Sequence, residues 1–190
     1  MSGDPGKTSS KTHSKTSGEI DLAEPVTEHD HAIGPSEARV TLVEYGDYEC
    51  PDCFNAVPIV QALVERLGPK LRVVYRHFPL NSIHPHASAA ARAAEAANLQ
   101  DRFWAMHAAL FKNQKHLTDV DLTHLALNLG LEVYRFHSDI VSDAVTRRVR
   151  ADAASGQRSG VTGTPTFFIN GHRYRGENQL ESLLKAIELH

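Results

Sequence analysis

The sequence predicts an α/β fold in which a central mixed sheet is interrupted by an all-helical insertion. Three observations lead there. A strand-like run passes into a helical period and back into a strand, the stretch from about 84 to 156 carries helical signals alone, and an Asn-Gly hairpin followed by a last helical period closes the chain. With 190 residues, 41% of them hydrophobic, the chain can bury one sizeable core, so one domain with a subdomain fits better than two independent ones.

Residues 1–36 are rich in Ser, Thr, Gly, Lys and acidic side chains and show no apolar period, which reads as a disordered polar tail. Lys7, Lys11 and Lys15 recur every fourth position, but no apolar face accompanies them. Order begins at Arg39-Val40-Thr41-Leu42-Val43-Glu44-Tyr45, a buried-type strand bounded by Gly46, with Glu44 its one charged interior residue. Val60, Leu63, Val64 and Leu67 then fall at i, i+3, i+4 and i+7 before Gly68-Pro69 ends the helix. Pro58 lies inside that helix, where it removes a backbone bond at a cost of about 3 kcal/mol. The run from Leu71 to Phe78 supplies a second buried strand, and the crossover between the two strands should be right-handed, making the sheet partly parallel.

From His84 the Ala-rich stretch at 87–97, the segment Phe103 to Phe111, the face Leu122, Leu125, Ala126, Leu129 and a long amphipathic stretch from Val133 to Ala154 are all helical. Arg147, Arg148 and Arg150 occupy polar positions of the last. Thr166 to Ile169 and His172 to Arg175 flank Asn170-Gly171, a strong hairpin signal, and Leu180, Leu183, Leu184 and Ile187 mark a final helix.

A formal net charge of -3 offers no positive field for phosphate backbones, so nucleic acid is a poor partner. No run of eighteen apolar residues spans a membrane, and the polar amino terminus has no signal-type apolar stretch, from which a soluble, cytoplasmic protein is expected.

The chain has only two cysteines, Cys50 and Cys53, and they sit where the first strand passes into its helix. That places Cys50 in the N-cap region and Cys53 one turn in on the same side, close enough to bond. Free N–H groups and the helix dipole stabilise a thiolate at Cys50 and can lower such a cysteine's pKa to roughly 3.5–7.5. Cys50 is the natural nucleophile and Cys53 the resolving thiol. The competing reading, half a zinc site, needs two more ligands from histidines, His84-Pro85-His86 being nearest in sequence and His29-Asp30-His31 a weaker set. Most of the twelve histidines read as surface residues.

The segment Val43-Glu44-Tyr45-Gly46-Asp47-Tyr48-Glu49-Cys50-Pro51-Asp52-Cys53 resembles the active-site segment of DsbA-like thioredoxin-fold thiol–disulfide oxidoreductases. The likeness runs on through Phe103-Trp104-Ala105-Met106-His107 and Gly160 to Gly171, covering roughly residues 38–190. It implies a thioredoxin-like fold over 37–190 and an activity on protein or peptide thiols and disulfides, reset by a redox partner, with no organic cofactor and no metal. It further implies that Pro165 is a cis-proline beside the sulfurs, that Thr164 before it presents backbone to an extended substrate, and that Glu44 is a buried acid relaying the proton of Cys53. The best-known oxidant of the family carries histidine between its cysteines. Here Pro51 and Asp52 stand there, and the charges of Asp52 and Glu49 should oppose the thiolate, giving a less acidic Cys50 and a less oxidising disulfide. A chaperone or adaptor that holds extended chains without redox turnover is the alternative from another class, and a glutathione-using isomerase or transferase, which would show a single Ser or Cys here, ranks third.

Overall fold

The computed structural model describes residues 21–189. Its sheet has five strands: β1 (His31–Ile33), β2 (Val40–Gly46), β3 (Leu71–His77), β4 (Thr166–Ile169) and β5 (His172–Arg173), in the order β1-β3-β2-β4-β5. β2 and β3 are parallel, joined by α1 (Pro51–Leu67), and every other pairing is antiparallel. Five helices separate β3 from β4: α2 (Ala87–Asn98), α3 (Phe103–Lys112), α4 (Asp119–Asn128), α5 (Val133–Ile140) and α6 (Asp143–Arg158). A last helix, α7 (Leu180–Glu188), packs with α1.

Side chains alternate across a strand, so the two faces of β2 separate cleanly. Val40 and Leu42 join Leu63 of α1 and Leu183 and Ile187 of α7 in one core, while Val43 and Tyr45 face Phe168, Phe78 and Leu22 on the other side. Burying each such aliphatic or aromatic side chain contributes about 1.5–3 kcal/mol. A third core lies inside the helical insertion and reaches the sheet through Tyr48, Tyr75 and both cysteines. The hairpin follows its sequence signal: Asn170 and Gly171 have φ of 49° and 83°, the double left-handed turn that Asn-Gly tolerates.

Three expectations are corrected. The tail was expected to reach residue 36, but residues 21–36 pack on the domain. His31–Ile33 pairs antiparallel with β3, and buried Asp30 receives Nε of the equally buried Arg76 at 2.7 Å. Residues 1–20 of that tail lie outside the described residues. The single amphipathic stretch at 133–154 is two helices, divided where the Ser142 side chain caps α6. Arg148 is half-buried against Asp152, rather than on a solvated face. Pro58 remains inside an unbroken α1.

Candidate active site

β2 delivers the chain to the site and α1 receives it. Cys50 is the N-cap of α1 in extended conformation, and Pro51 follows at the first helical position, where its missing N–H removes nothing the helix would use. Asp47 sets the loop between them. Its buried carboxylate accepts from the Glu49 amide, the Leu80 amide and His84 Nδ1, each at 2.8 Å. Glu49 is committed in the same direction, accepting from the His86 amide at 2.7 Å. The loop carrying His84 and His86 is thus held against the cysteines by acids, and among the described residues neither histidine falls with the cysteines in a group close enough to share a metal ion.

Cys50 is lowered to about 5, mainly by the hydrogen bond it accepts from the Cys53 thiol; burial works against this and the amides of Cys53 and Asp52 reinforce it. Both cysteines are free. Cys53 is fully buried, and burial together with its donation to Cys50 holds its proton well above the ordinary thiol range; the Asp47 amide lies 3.4 Å from its sulfur. One turn of helix therefore separates a thiolate from a thiol. The Asp52 side chain is exposed, and that of Glu49 accepts from the His86 amide. A value near 5 falls between the roughly 3.5 of the strongest oxidants of this chemistry and the roughly 7 of thioredoxin.

Glu44 lies on the α1 face of β2, a central strand, and is buried there. Its carboxyl makes no hydrogen bond among the described residues, and burial, with the Cys50 charge adding, raises it to about 8. It also lines a cavity of about 470 Å³ between α1 and α3 walled by Val57, Val60, Trp104 and Phe111. A carboxyl that is neutral near pH 7, beneath the resolving thiol and reachable from a cavity, can give and take a proton.

The Thr164-Pro165 peptide is cis, and the Cys50 sulfur lies 3.3 Å from the Thr164 carbonyl oxygen. Cys50, Cys53, Glu44, Thr164 and Pro165 thus converge, whereas Asp52 and Pro51 stand on the exposed side of the helix start.

Among the described residues one group of three could offer ligands to a metal: His31, His77 and Glu95. Both imidazole Nε2 atoms meet the same Glu95 oxygen, at 2.7 and 2.9 Å, and Arg148 Nε stands 3.8 Å from it. His77 Nδ1 is buried without a partner, so ligation through Nε2 would leave a proton on an unpaired nitrogen. The set fits a hydrogen-bonded cluster better than a metal centre. Sequence reasoning missed it, as well as Asp47 and Gln114, whose side-chain nitrogen bonds the carbonyls of Tyr48 and Cys50. The expectation that most histidines face water fails for His31 and His77.

The thioredoxin family profile matches residues 26–189. A thioredoxin-like oxidoreductase from Silicibacter pomeroyi superposes with a TM-score of 0.78 at 29% identity, covering 91% of this chain and 97% of that one. Wolbachia pipientis alpha-DsbA1 superposes at 0.76 over 90% of this chain and 95% of its own, and at 19% identity shows a shared DsbA-like fold. A relative named Na(+)/H(+) antiporter NhaA 1, from Salinispora arenicola, is 44% identical over 171 residues, 90% of this chain but 26% of that protein. The chain spans about a quarter of the length of the curated relatives it matches. No helix among the described residues is long and apolar enough to cross a membrane.

Proposed function

Because the chain belongs to the thioredoxin family, we propose that it exchanges disulfides with protein or peptide substrates through Cys50 and Cys53, ion transport belonging to the remainder of its longer relatives. The observation that carries the proposal is the contrast within one helical turn: a stabilised thiolate at Cys50 and a buried, protonated thiol at Cys53 above a neutral Glu44. In the oxidised form a substrate thiolate attacks Cys50 Sγ, the Cys50–Cys53 bond breaks, and the departing Cys53 thiolate takes the Glu44 proton. A second substrate thiolate then attacks the substrate sulfur of the mixed disulfide and releases Cys50 as thiolate. The substrate loses two electrons, which the cysteine pair holds until a redox partner removes them. Run backwards, the same steps reduce a substrate, with Glu44 accepting the Cys53 proton.

Stabilising the Cys50 thiolate stabilises the dithiol form, which supports oxidation or isomerisation over reduction. Thr164 supports substrate placement, since its carbonyl lies next to the sulfur and an extended chain can pair with backbone there. Equilibrating the protein across glutathione ratios and counting free thiols tests the reading. A potential well above roughly -200 mV is expected, and one near or below roughly -270 mV would mark a thioredoxin-like reductant instead. Failure to form an intramolecular disulfide, or exchange that survives Cys50→Ser, would sink the proposal.

A further inference from the structure

Gln114 follows α3 in the loop that leads to α4, sixty-four residues beyond Cys50, yet it touches the backbone on which Cys50 is mounted. Its side-chain nitrogen lies 2.9 Å from the Tyr48 carbonyl and 2.7 Å from the Cys50 carbonyl. Both partners are acceptors, so only the NH2 end of the carboxamide satisfies them, one N–H to each. The Cys50 carbonyl also accepts the first helical bond, from the Phe54 amide at 3.2 Å, so Gln114 takes its second lone pair. Tyr48 is tied to α3 by its side chain, its hydroxyl 3.1 Å from His107 Nδ1 and its ring 4.9 Å from that of Phe111. From the opposite side Asp47 holds the loop through the Glu49 amide and through its own carbonyl, 3.2 Å from the Cys50 amide.

We propose that Gln114 is a positioning residue for the nucleophile, fixing the Tyr48 to Cys50 backbone and offsetting the negative ends of two carbonyls of the segment that carries the sulfur. This rests on the reading of Cys50 as the attacking thiolate. The carbonyl oxygens carry partial negative charge and the sulfur acquires a full one, so donors placed on those oxygens favour the ionised sulfur. The helical insertion thereby acts on the chemistry through one carboxamide, in addition to covering the site.

The test uses the full chain, reduced, with iodoacetamide alkylation of Cys50 followed against pH, alongside its equilibrium with glutathione and its thermal midpoint. Q114M keeps length and bulk and removes both donors. Its alkylation midpoint should move to higher pH, and its equilibrium with glutathione should shift toward the dithiol less readily by about two- to tenfold for each bond lost. Q114E sets an acceptor-only charge against two carbonyls. It should shift the midpoint further at neutral pH and recover in part under acid, where a protonated carboxyl can donate again, and this pH dependence carries the test should Q114M fail to fold. A lowered thermal midpoint with the Cys50 titration and glutathione equilibrium of the wild type in both variants would overturn the proposal and leave Gln114 a structural residue. A shifted titration in a protein that turns over no protein disulfide would overturn the exchange reading and leave the role of Gln114 standing.

Discussion

Two glutamates of this protein are buried to nearly the same depth, Glu44 at 6% exposure and Glu95 at 4%, and their surroundings drive them in opposite directions. Glu44 stands under the cysteines with no hydrogen-bond partner among the described residues, and burial raises it to about 8. Glu95, in the helical insertion, is pushed the same way by burial, but His31 and His77 on one oxygen outweigh it and hold the carboxyl well below the usual range. Depth alone therefore assigns no role. A buried acid with donors stays charged and fastens elements together, here β1, β3 and α2; one without donors stays protonated and can trade that proton with a neighbouring thiol.

The largest effect that would sharpen the contrast is on stability. Glu95→Ala leaves two imidazoles and Arg148 facing a vacated acceptor, and urea unfolding at pH 7 should show a loss of about 3–5 kcal/mol. Within about 1 kcal/mol of wild type, the cluster would not be a fastening. Because the Glu95 pKa is depressed on folding, its contribution is present above the unfolded carboxyl value near 4.5 and is lost as pH falls below it.

Glu44 should behave with the opposite sign. The folded protein keeps its proton to about pH 8 whereas the unfolded chain releases it near 4.5, so between those values the folded state binds more protons and stability falls as pH rises. Glu44→Gln removes the penalty. It should match wild type near pH 4.5 and exceed it by a few kcal/mol at pH 8.5, while slowing resolution of a mixed disulfide by at least about tenfold in stopped-flow exchange. A variant less stable than wild type at pH 8.5 would show that the carboxylate has partners after all.

Arg148→Met tests the half-buried arm of the Glu95 cluster, whose guanidinium meets Asp152 at 2.5 Å and approaches Glu95. A loss of about 1–2 kcal/mol in the same denaturation assay is expected, smaller than for Glu95 because water reaches the guanidinium. The smallest effect belongs to the acid in water: Asp52→His should lower the Cys50 titration midpoint by no more than about one pH unit, and unchanged titration and potential would show that this side chain does not tune the sulfur.

The sheet strands, α1 and the closing hairpin were legible because each is written in neighbouring residues, as a period of two or 3.6 or as Asn-Gly at a turn. β1 was not. It is three residues long, begins with histidine, and exists because His31–Ile33 pairs with Val73–Tyr75 some forty residues away. The boundary between α5 and α6 was legible in principle from Ser142 followed by Asp143, but the apolar period runs across it and masks the cap. For Glu95 a signal did exist: an acid within Ala-rich α2, buried along most of its length, must meet a partner, though the sequence does not say which.

The site divides in the same way. Cys50 at a helix start and Cys53 one turn later follow from spacing alone, because an N-cap and its first turn are local geometry. The cis Thr164-Pro165 bond, the acid beneath Cys53 and the thioredoxin-like arrangement of the sheet entered only through resemblance to a family. What no reading of neighbours supplied is the set of long-range contacts: Asp47 with the loop of His84, Gln114 with the Cys50 carbonyl, and Glu95 between two histidines from different strands. Sequence determined which groups could be nucleophile and resolving thiol, since those roles need only a helix and its dipole. Tertiary structure decided which acids are charged and which donors reach the sulfur's backbone, because desolvation and hydrogen bonding depend on partners brought in from far along the chain.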